Sequence, residues 1–205
     1  MVVMAHPDGR AGFLDAGGEP KGLARQLLDK NLAVLLVDTF LTGELAEPSA
    51  PPRDYAANFF TTYNRTDMQE RVQDLVTACA FAQTHGKGRR VVLCGWGRAG
   101  LWAMLAAPAS DALVADCAEF DSTDDRNLLT RDVFSPGLRK LGAFEGVIAM
   151  NMGNPLLLHN TGEKFTTSFL RKVYRGMHAE EDFREEKAVL APDQIAKWIS
   201  ELPRR

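Results

Sequence analysis

The sequence predicts an α/β fold with a mostly parallel sheet of at least five strands, built as a single domain over residues 1–205. Short apolar runs alternate with segments of helical periodicity, which is the pattern of strands joined by helical crossovers. Most of the runs are continuously apolar, as expected of strands that are buried on both faces of a parallel sheet. A chain of 205 residues is also long enough to form a substantial hydrophobic core.

Five apolar runs predict the strands. The first ends at the turn signal His6-Pro7-Asp8-Gly9, and the second ends at Asp38. The predicted strands are 2–5, 32–37, 91–94, 112–115 and 155–159.

Five segments carry apolar residues at the spacing of one helical face. Thr66 and Gln69 form a capping-box pattern at the start of the longest one, and Pro192 stands in the first turn of the last. The predicted helices are 22–31, 66–85, 101–105, 166–175 and 192–202. The long loop from Thr39 to Arg65 contains Tyr55, Phe59, Phe60 and Tyr63, aromatic residues that we expect to hold it against the domain.

Composition excludes several function classes. A formal net charge of -3 gives no general attraction to nucleic acid or to anionic membranes, and no apolar run approaches the roughly 18–20 residues of a membrane span. Cys79, Cys94 and Cys117 lack the spacing of a metal site, so they predict buried apolar thiols in a reducing compartment. We expect no metal, no cofactor and a cytoplasmic location, unless the chain is a fragment of a longer protein.

The glycine-rich turn at 95–100 supports two interpretations. As G-x-G-x-x-G it predicts a dinucleotide-binding, Rossmann-like oxidoreductase domain, in which Gly95, Gly97 and Gly100 approach a pyrophosphate and Asp116 binds a ribose. Such a fingerprint usually lies in the first βαβ unit of its domain, however, and here two βα units precede it. The alternative is a nucleophile elbow, a sharp strand-to-helix turn with small flanking residues, in which Gly97 stands at the nucleophile position.

The wider sequence favours the elbow. Four motifs carry a resemblance in their order and spacing: His6-Pro7-Asp8-Gly9, Val37-Asp38-Thr39-Phe40-Leu41-Thr42-Gly43-Glu44, the elbow itself and Pro155-Leu156-Leu157-Leu158-His159-Asn160. From Val2 to Trp198 the chain resembles the α/β-hydrolase superfamily, in particular its dienelactone hydrolase and acetyl xylan esterase-like branch. The resemblance implies the fold of these enzymes and an esterase-like site at the carboxyl ends of the strands.

The chain departs from that pattern where catalysis occurs. Glycine has no side chain that could attack a carbonyl. The resemblance implies an acid after a late strand, where Asp121 or Glu163 stands, and a base after the last strand, for which His178 is the candidate. We therefore expect an inactive serine-hydrolase relative, possessing a site for a small molecule or a carbohydrate ester. Cys94 and two serines, Ser110 and Ser122, lack elbow context and are poor substitutes for the nucleophile.

The expected ligand pocket lies around the elbow and the loop after the first strand. The resemblance places His6, Asp8 and Gly9 in an oxyanion loop, and it places Trp96 and Arg98 at the crown of the sheet. For two of these residues a purely structural role remains open: His6 as a turn residue, and Arg98 as an exposed side chain. For the acidic loop at 119–125, a solvated face is favoured over a cation site. His159 and His85 are expected to be structural.

The resemblance also implies that two further strands precede the first one in related proteins. Neither 2–5 nor 32–37 carries the charges that guard an exposed sheet edge. We therefore expect this edge to be covered, either by a second copy of the chain or by an upstream segment.

Overall fold

A parallel sheet with helices on both faces forms the core of the protein, seen here in a computed structural model that describes residues 1–86 and 88–203. Its strands are β1 (Val2–Ala5), β2 (Val34–Val37), β3 (Val92–Gly95), β4 (Ala112–Asp116), β5 (Leu156–His159) and β6 (Phe183–Glu185). They run in the order β2-β1-β3-β4-β5-β6, and every neighbouring pair is parallel. The predicted fold class is confirmed.

Seven α-helices lie within the described ranges: α1 (Gly22–Asp29), α2 (Phe60–Tyr63), α3 (Asp67–His85), α4 (Ala99–Ala106), α5 (Ala143–Ala149), α6 (Ser168–Gly176) and α7 (Pro192–Glu201). The predicted capping box is present: Thr66 Oγ1 accepts the Gln69 N–H, and the Gln69 side chain accepts the Thr66 N–H. Since both partners are local in sequence, the start of α3 could be predicted correctly.

Two apolar layers cover the sheet. Alternate side chains of each strand point to opposite faces, so β1 sends Val3 and Ala5 to one face and Val2 and Met4 to the other. The first face is covered by α3, α4, α5 and α6, and the second by α1 and α7. Burial on both sides explains why the central strands are apolar up to their carboxyl ends, where β4 finishes at Asp116 and β5 at His159.

Besides the single-turn helix α2 within the predicted loop, two elements were not predicted. The strand β6 has only three residues, two of them the charged Arg184 and Glu185, so it lacks an apolar run. Helix α5 follows Gly142 and contains Gly146, and glycine is a poor helix former. Both elements form because they pack against a neighbour, β5 in one case and α4 with α6 in the other.

The N-terminal strand lies in the interior of the sheet. β1 is flanked by β2 and β3, so the open side at this end of the sheet belongs to β2. All four residues of β2 are partly exposed, whereas those of β1 are buried. Within the described ranges, no helix combines the length and the hydropathy that crossing a bilayer requires.

Candidate functional site

The turn between β3 and α4 is sharp and packs closely against its neighbours at two glycines. A Cβ on Gly95 would lie 2.5 Å from the Ala99 carbonyl oxygen, and one on Gly100 would lie 1.9 Å from the Asp116 carbonyl oxygen. Close backbone packing therefore requires glycine at both positions. Gly97 differs: its φ is +55°, and a Cβ there would meet only Pro7, at 3.6 Å. The turn thus leaves room for a side chain at position 97.

The buried carboxylate of Asp116 holds this turn in place by hydrogen bonding. Oδ2 of Asp116, at the end of β4, accepts the Gly97 N–H at 3.0 Å, and its Oδ1 accepts from the Ala118 N–H at 2.8 Å and from Asn160 Nδ2 at 2.7 Å. The dinucleotide interpretation assigned the Gly97 N–H to a pyrophosphate and Asp116 to a ribose. In the structure these two groups bond to each other.

His159 completes a polar cluster under the elbow, together with Asp116 and Asn160. His159 is the register partner of Asp116 on the neighbouring strand and is fully buried. Its Nδ1 accepts the Leu190 N–H at 3.4 Å, its ring centroid lies 6.0 Å from that of Trp96, and its Nε2 has no partner among the described residues. Burial lowers the pKa of His159, although the negative charge of Asp116 opposes the shift. The imidazole is therefore held in its neutral form.

The loop after β1 is folded back upon itself. His6 Nδ1 accepts the Asp8 N–H at 3.0 Å, and the His6 carbonyl oxygen accepts the Gly9 N–H at 2.9 Å. Asp38, which follows β2, accepts the Arg10 N–H at 2.7 Å. Desolvation lowers the pKa of His6, with Asp8 opposing the shift. These bonds position the loop and use the N–H groups of residues 8–10.

Two cavities open beside the elbow. The larger one, of about 620 Å³, lies between the loops that follow β1 and β2; its wall includes Pro7, Asp8, Arg10, Asp15, Thr42 and Glu44. The smaller one, of about 230 Å³, is lined by His6, Phe13, Lys21, Leu23, Trp96 and Pro192 among others. Pro7, which lines the larger cavity, is the residue nearest to position 97, whereas Trp96 of the turn lines the smaller cavity.

The expected acids and base do not join this cluster by any bond in the structure. Asp121 bonds to Lys164 at 3.0 Å and to Thr123. These hydrogen bonds, of which the one from Thr123 has the largest effect, lower the pKa of Asp121 to about 2. Glu163 is exposed and pairs with Lys187 at 2.8 Å. His178 is also exposed, and it precedes β6 instead of following the last strand.

The other residues singled out from the sequence have structural partners. Arg98 pairs with Asp132 and lies over the Phe120 ring at 5.3 Å, so it is engaged within the protein and is not simply a solvated arginine. Cys94 is fully buried, which raises the pKa of its thiol to about 12. Ser110 donates to the Ala107 carbonyl oxygen, and Ser122 bonds to residues 164 and 166.

The long loop at 39–65 is held mainly by a buried carboxylate that sequence reasoning missed. The Asp67 side chain, 5% exposed, bonds to Arg53 at 3.0 Å and to Arg131 at 3.2 Å, and the Asp67 N–H donates to the Tyr55 hydroxyl. Of the four aromatic residues expected to anchor the loop, Tyr55 and Phe60 pack inward, whereas Phe59 and Tyr63 are exposed. Charged residues at distant positions meet here, so no local pattern could reveal the contact.

No protein-family profile and no curated protein matches the chain. Solved structures do match. The chain is similar to a candidate acetyl xylan esterase from Bacteroides fragilis NCTC 9343, with 16% identity and a TM-score of 0.66, covering 90% of this chain and 58% of that one. A glucuronoyl esterase of carbohydrate esterase family 15 from Caldicellulosiruptor kristjansonii matches with 12% identity and a TM-score of 0.56, covering 97% and 66%.

An alpha/beta hydrolase from Penicillium sp. sh18 matches with 12% identity and a TM-score of 0.54, covering 92% of this chain and 80% of that one. The chain thus spans about three fifths of the Bacteroides protein. At such low identity the likeness concerns the fold and not the activity. The described residues adopt the α/β-hydrolase fold.

Proposed function

We propose that the chain binds a small molecule of the carbohydrate-ester class at the carboxyl edge of its sheet and does not hydrolyse it. The elbow carries this proposal. The turn has the shape and the free space of a nucleophile position, but Gly97 offers no atom that could attack a carbonyl.

The groups that would support a nucleophile are missing as well. The loop at 186–191, which follows β6, contains no histidine. Oxyanion stabilisation needs free donors aimed at the developing charge. Pro7, the residue above Gly97, has no N–H, and the next three N–H groups bond to His6 or Asp38. A serine restored at position 97 would therefore lack a histidine base in the loop after β6 and a free N–H from residues 8–10 for an oxyanion hole.

The ligand class follows from the larger cavity and from the structural neighbours. A volume of about 620 Å³ lies within the usual range of small-molecule sites. Asp8, Glu44 and Arg10 line it with exposed carboxylates and a partly exposed guanidinium, and such groups hydrogen-bond well to a ligand rich in hydroxyls. The esterase names of the neighbours suggest that the ligand is a sugar ester.

The absence of turnover can be tested with p-nitrophenyl acetate. We expect no hydrolysis above a boiled control, and no gain of activity in Gly97→Ser. Turnover that is abolished by Ser122→Ala or Cys94→Ala would contradict the proposal, because it would reveal another nucleophile.

Binding can be tested by calorimetry with an acetylated xylo-oligosaccharide as the probe. Ala16 is exposed and lines the larger cavity, so Ala16→Trp should fill the cavity and abolish binding without disturbing the core. Ala80→Trp, an exposed alanine on α3, is the matched control and should bind as the parent does. Equal affinity of all three proteins, or no binding to the parent, would contradict the proposed site.

A further inference from the structure

We propose that β2 pairs in antiparallel fashion with the β2 strand of a second copy of the chain, so that two sheets join about a twofold axis at Leu35. The first observation is the contrast between the two outer strands. The edge strand β6 carries Arg184 and Glu185, which pair with Glu186 and Arg171. β2 is Val-Leu-Leu-Val and carries no charge. Charged side chains protect a sheet edge from pairing, so β6 is protected and β2 is open.

The backbone of β2 presents unpaired groups at a spacing that suits a twofold axis. The Ala33 carbonyl oxygen accepts the Val2 N–H at 2.8 Å, so Ala33 directs its backbone groups toward β1. Direction alternates along a strand, so Leu35 also faces β1, whereas Val34 and Leu36 face outward. A twofold axis at Leu35 places Val34 of each copy opposite Leu36 of the other. Both residues of such a pair can exchange their N–H···O bonds.

The side chains of β2 are compatible with the same arrangement. Leu35 packs toward the α3 side of the sheet, and Val34 and Leu36 pack toward α1. All three are only partly buried within one chain. Across the axis the two Leu35 side chains would meet each other, and Val34 would meet Leu36. An interface of this kind repeats the same surface on both copies, so the apolar strand has to match only itself.

Helix α1 adds charge complementarity. It is the outermost helix on its face of the sheet, and Leu28 on its flank is 42% exposed. Arg25 Nε donates to Asp29 Oδ1 at 2.9 Å within the helix, and the two side chains are exposed at 61% and 57%. The axis would bring two α1 helices together in antiparallel orientation, so that Arg25 of each copy exchanges its own Asp29 for that of the other. Opposite charges in these positions favour the second copy over an unrelated strand.

Light scattering during size-exclusion chromatography tests the proposal directly. Over a dilution series of roughly 1 to 100 µM, the chain should pass from monomer to dimer. Leu28→Lys should raise the dissociation constant at least about tenfold, because two like charges would meet near the axis. Leu129→Lys, at a leucine that is 69% exposed in another part of the surface, is the matched control and should leave it unchanged.

Two further variant sets distinguish this interface from any other. Val34→Pro removes one outward N–H at the first residue of the strand, where proline is tolerated, whereas Val34→Ala keeps that N–H. Only the proline variant should abolish the dimer, with thermal unfolding showing that both variants fold. Arg25→Asp and Asp29→Arg should each weaken the dimer, and the double swap should restore it.

A monomer at every concentration would overturn the proposal. A dimer that survives both Val34→Pro and Leu28→Lys would also overturn it, since the contact would then use another surface.

Discussion

The N–H of Gly97 donates to Oδ2 of Asp116 across 3.0 Å, so the elbow is tied to the neighbouring strand by a buried carboxylate. This hydrogen bond uses the backbone N–H and does not depend on a side chain at position 97. The conformation of the turn therefore depends on β4 and on the glycines that pack against it, and it persists without a catalytic residue.

Removing this carboxylate should be costly. Asp116→Ala leaves two backbone N–H groups and the Asn160 amide without their acceptor, and we expect the free energy of unfolding to fall by about 3 kcal/mol. Glu163→Ala, which removes the exposed ion pair with Lys187, should cost less than about 1 kcal/mol. Urea unfolding of both variants makes the comparison. Equal losses would mean that the bond to Gly97 contributes little.

The glycines of the elbow should differ in their tolerance of a methyl group. Gly100→Ala forces a Cβ to within 1.9 Å of a backbone oxygen and should destabilise by about 3 kcal/mol or more. Gly97→Ala meets only ordinary contacts, so its cost should be the left-handed backbone penalty of about 1–2 kcal/mol. Thermal denaturation should rank Gly100→Ala as the less stable of the two. The reverse order would show that the elbow is packed differently.

Most of the sheet could be predicted from the sequence because the central strands are short, continuously apolar and flanked by turn residues. The limits of the prediction appear at β6, where packing against β5 stabilises a strand whose sequence is largely charged. Because β6 was missed, His178 was assigned to a position after the last strand, although it lies before it.

The candidate site was predictable only in part. Gly97 at the elbow followed from the spacing of the glycines. The pairing of Asp116 with His159 depends on the register of β4 against β5, and the local sequence does not encode that register. The same holds for Asp67, whose partners Arg53 and Arg131 lie 14 and 64 residues away along the chain.

Asp67 should make the fold sensitive to acid. Burial alone would raise the pKa of Asp67, but the hydrogen bonds from Tyr55, Arg131 and Arg53 outweigh burial and lower it. A carboxyl whose pKa is lowered by folding stabilises the protein above its unfolded pKa near 4, and this stability is lost as the pH falls through the folded value. Asp67→Asn should therefore be less stable than the parent at pH 7, with a smaller difference at pH 3. Urea midpoints at the two pH values measure this, and a constant difference would contradict it.

His159 should destabilise the fold in mild acid. Because burial lowers the pKa of His159, its protonation favours the unfolded state, and stability should fall as the pH drops below about 6.5. His159→Asn keeps an acceptor for the Leu190 N–H and removes the ionisation, so its melting temperature should change less between pH 7.5 and 5.5. His178→Asn, at an exposed histidine, is the control and should follow the parent. A parallel decline in all three proteins would assign the effect to other groups.

The free space above Gly97 makes this position suitable for chemical labelling. The three native cysteines are buried, and burial raises the pKa of Cys79 and Cys94 to about 12 and that of Cys117 well above its usual value, so their thiols are unreactive at neutral pH. A cysteine introduced by Gly97→Cys would place a thiol in the open space beside Pro7, which lines the larger cavity. A fluorophore attached there would report the arrival of a ligand by a change in emission, without any need for turnover.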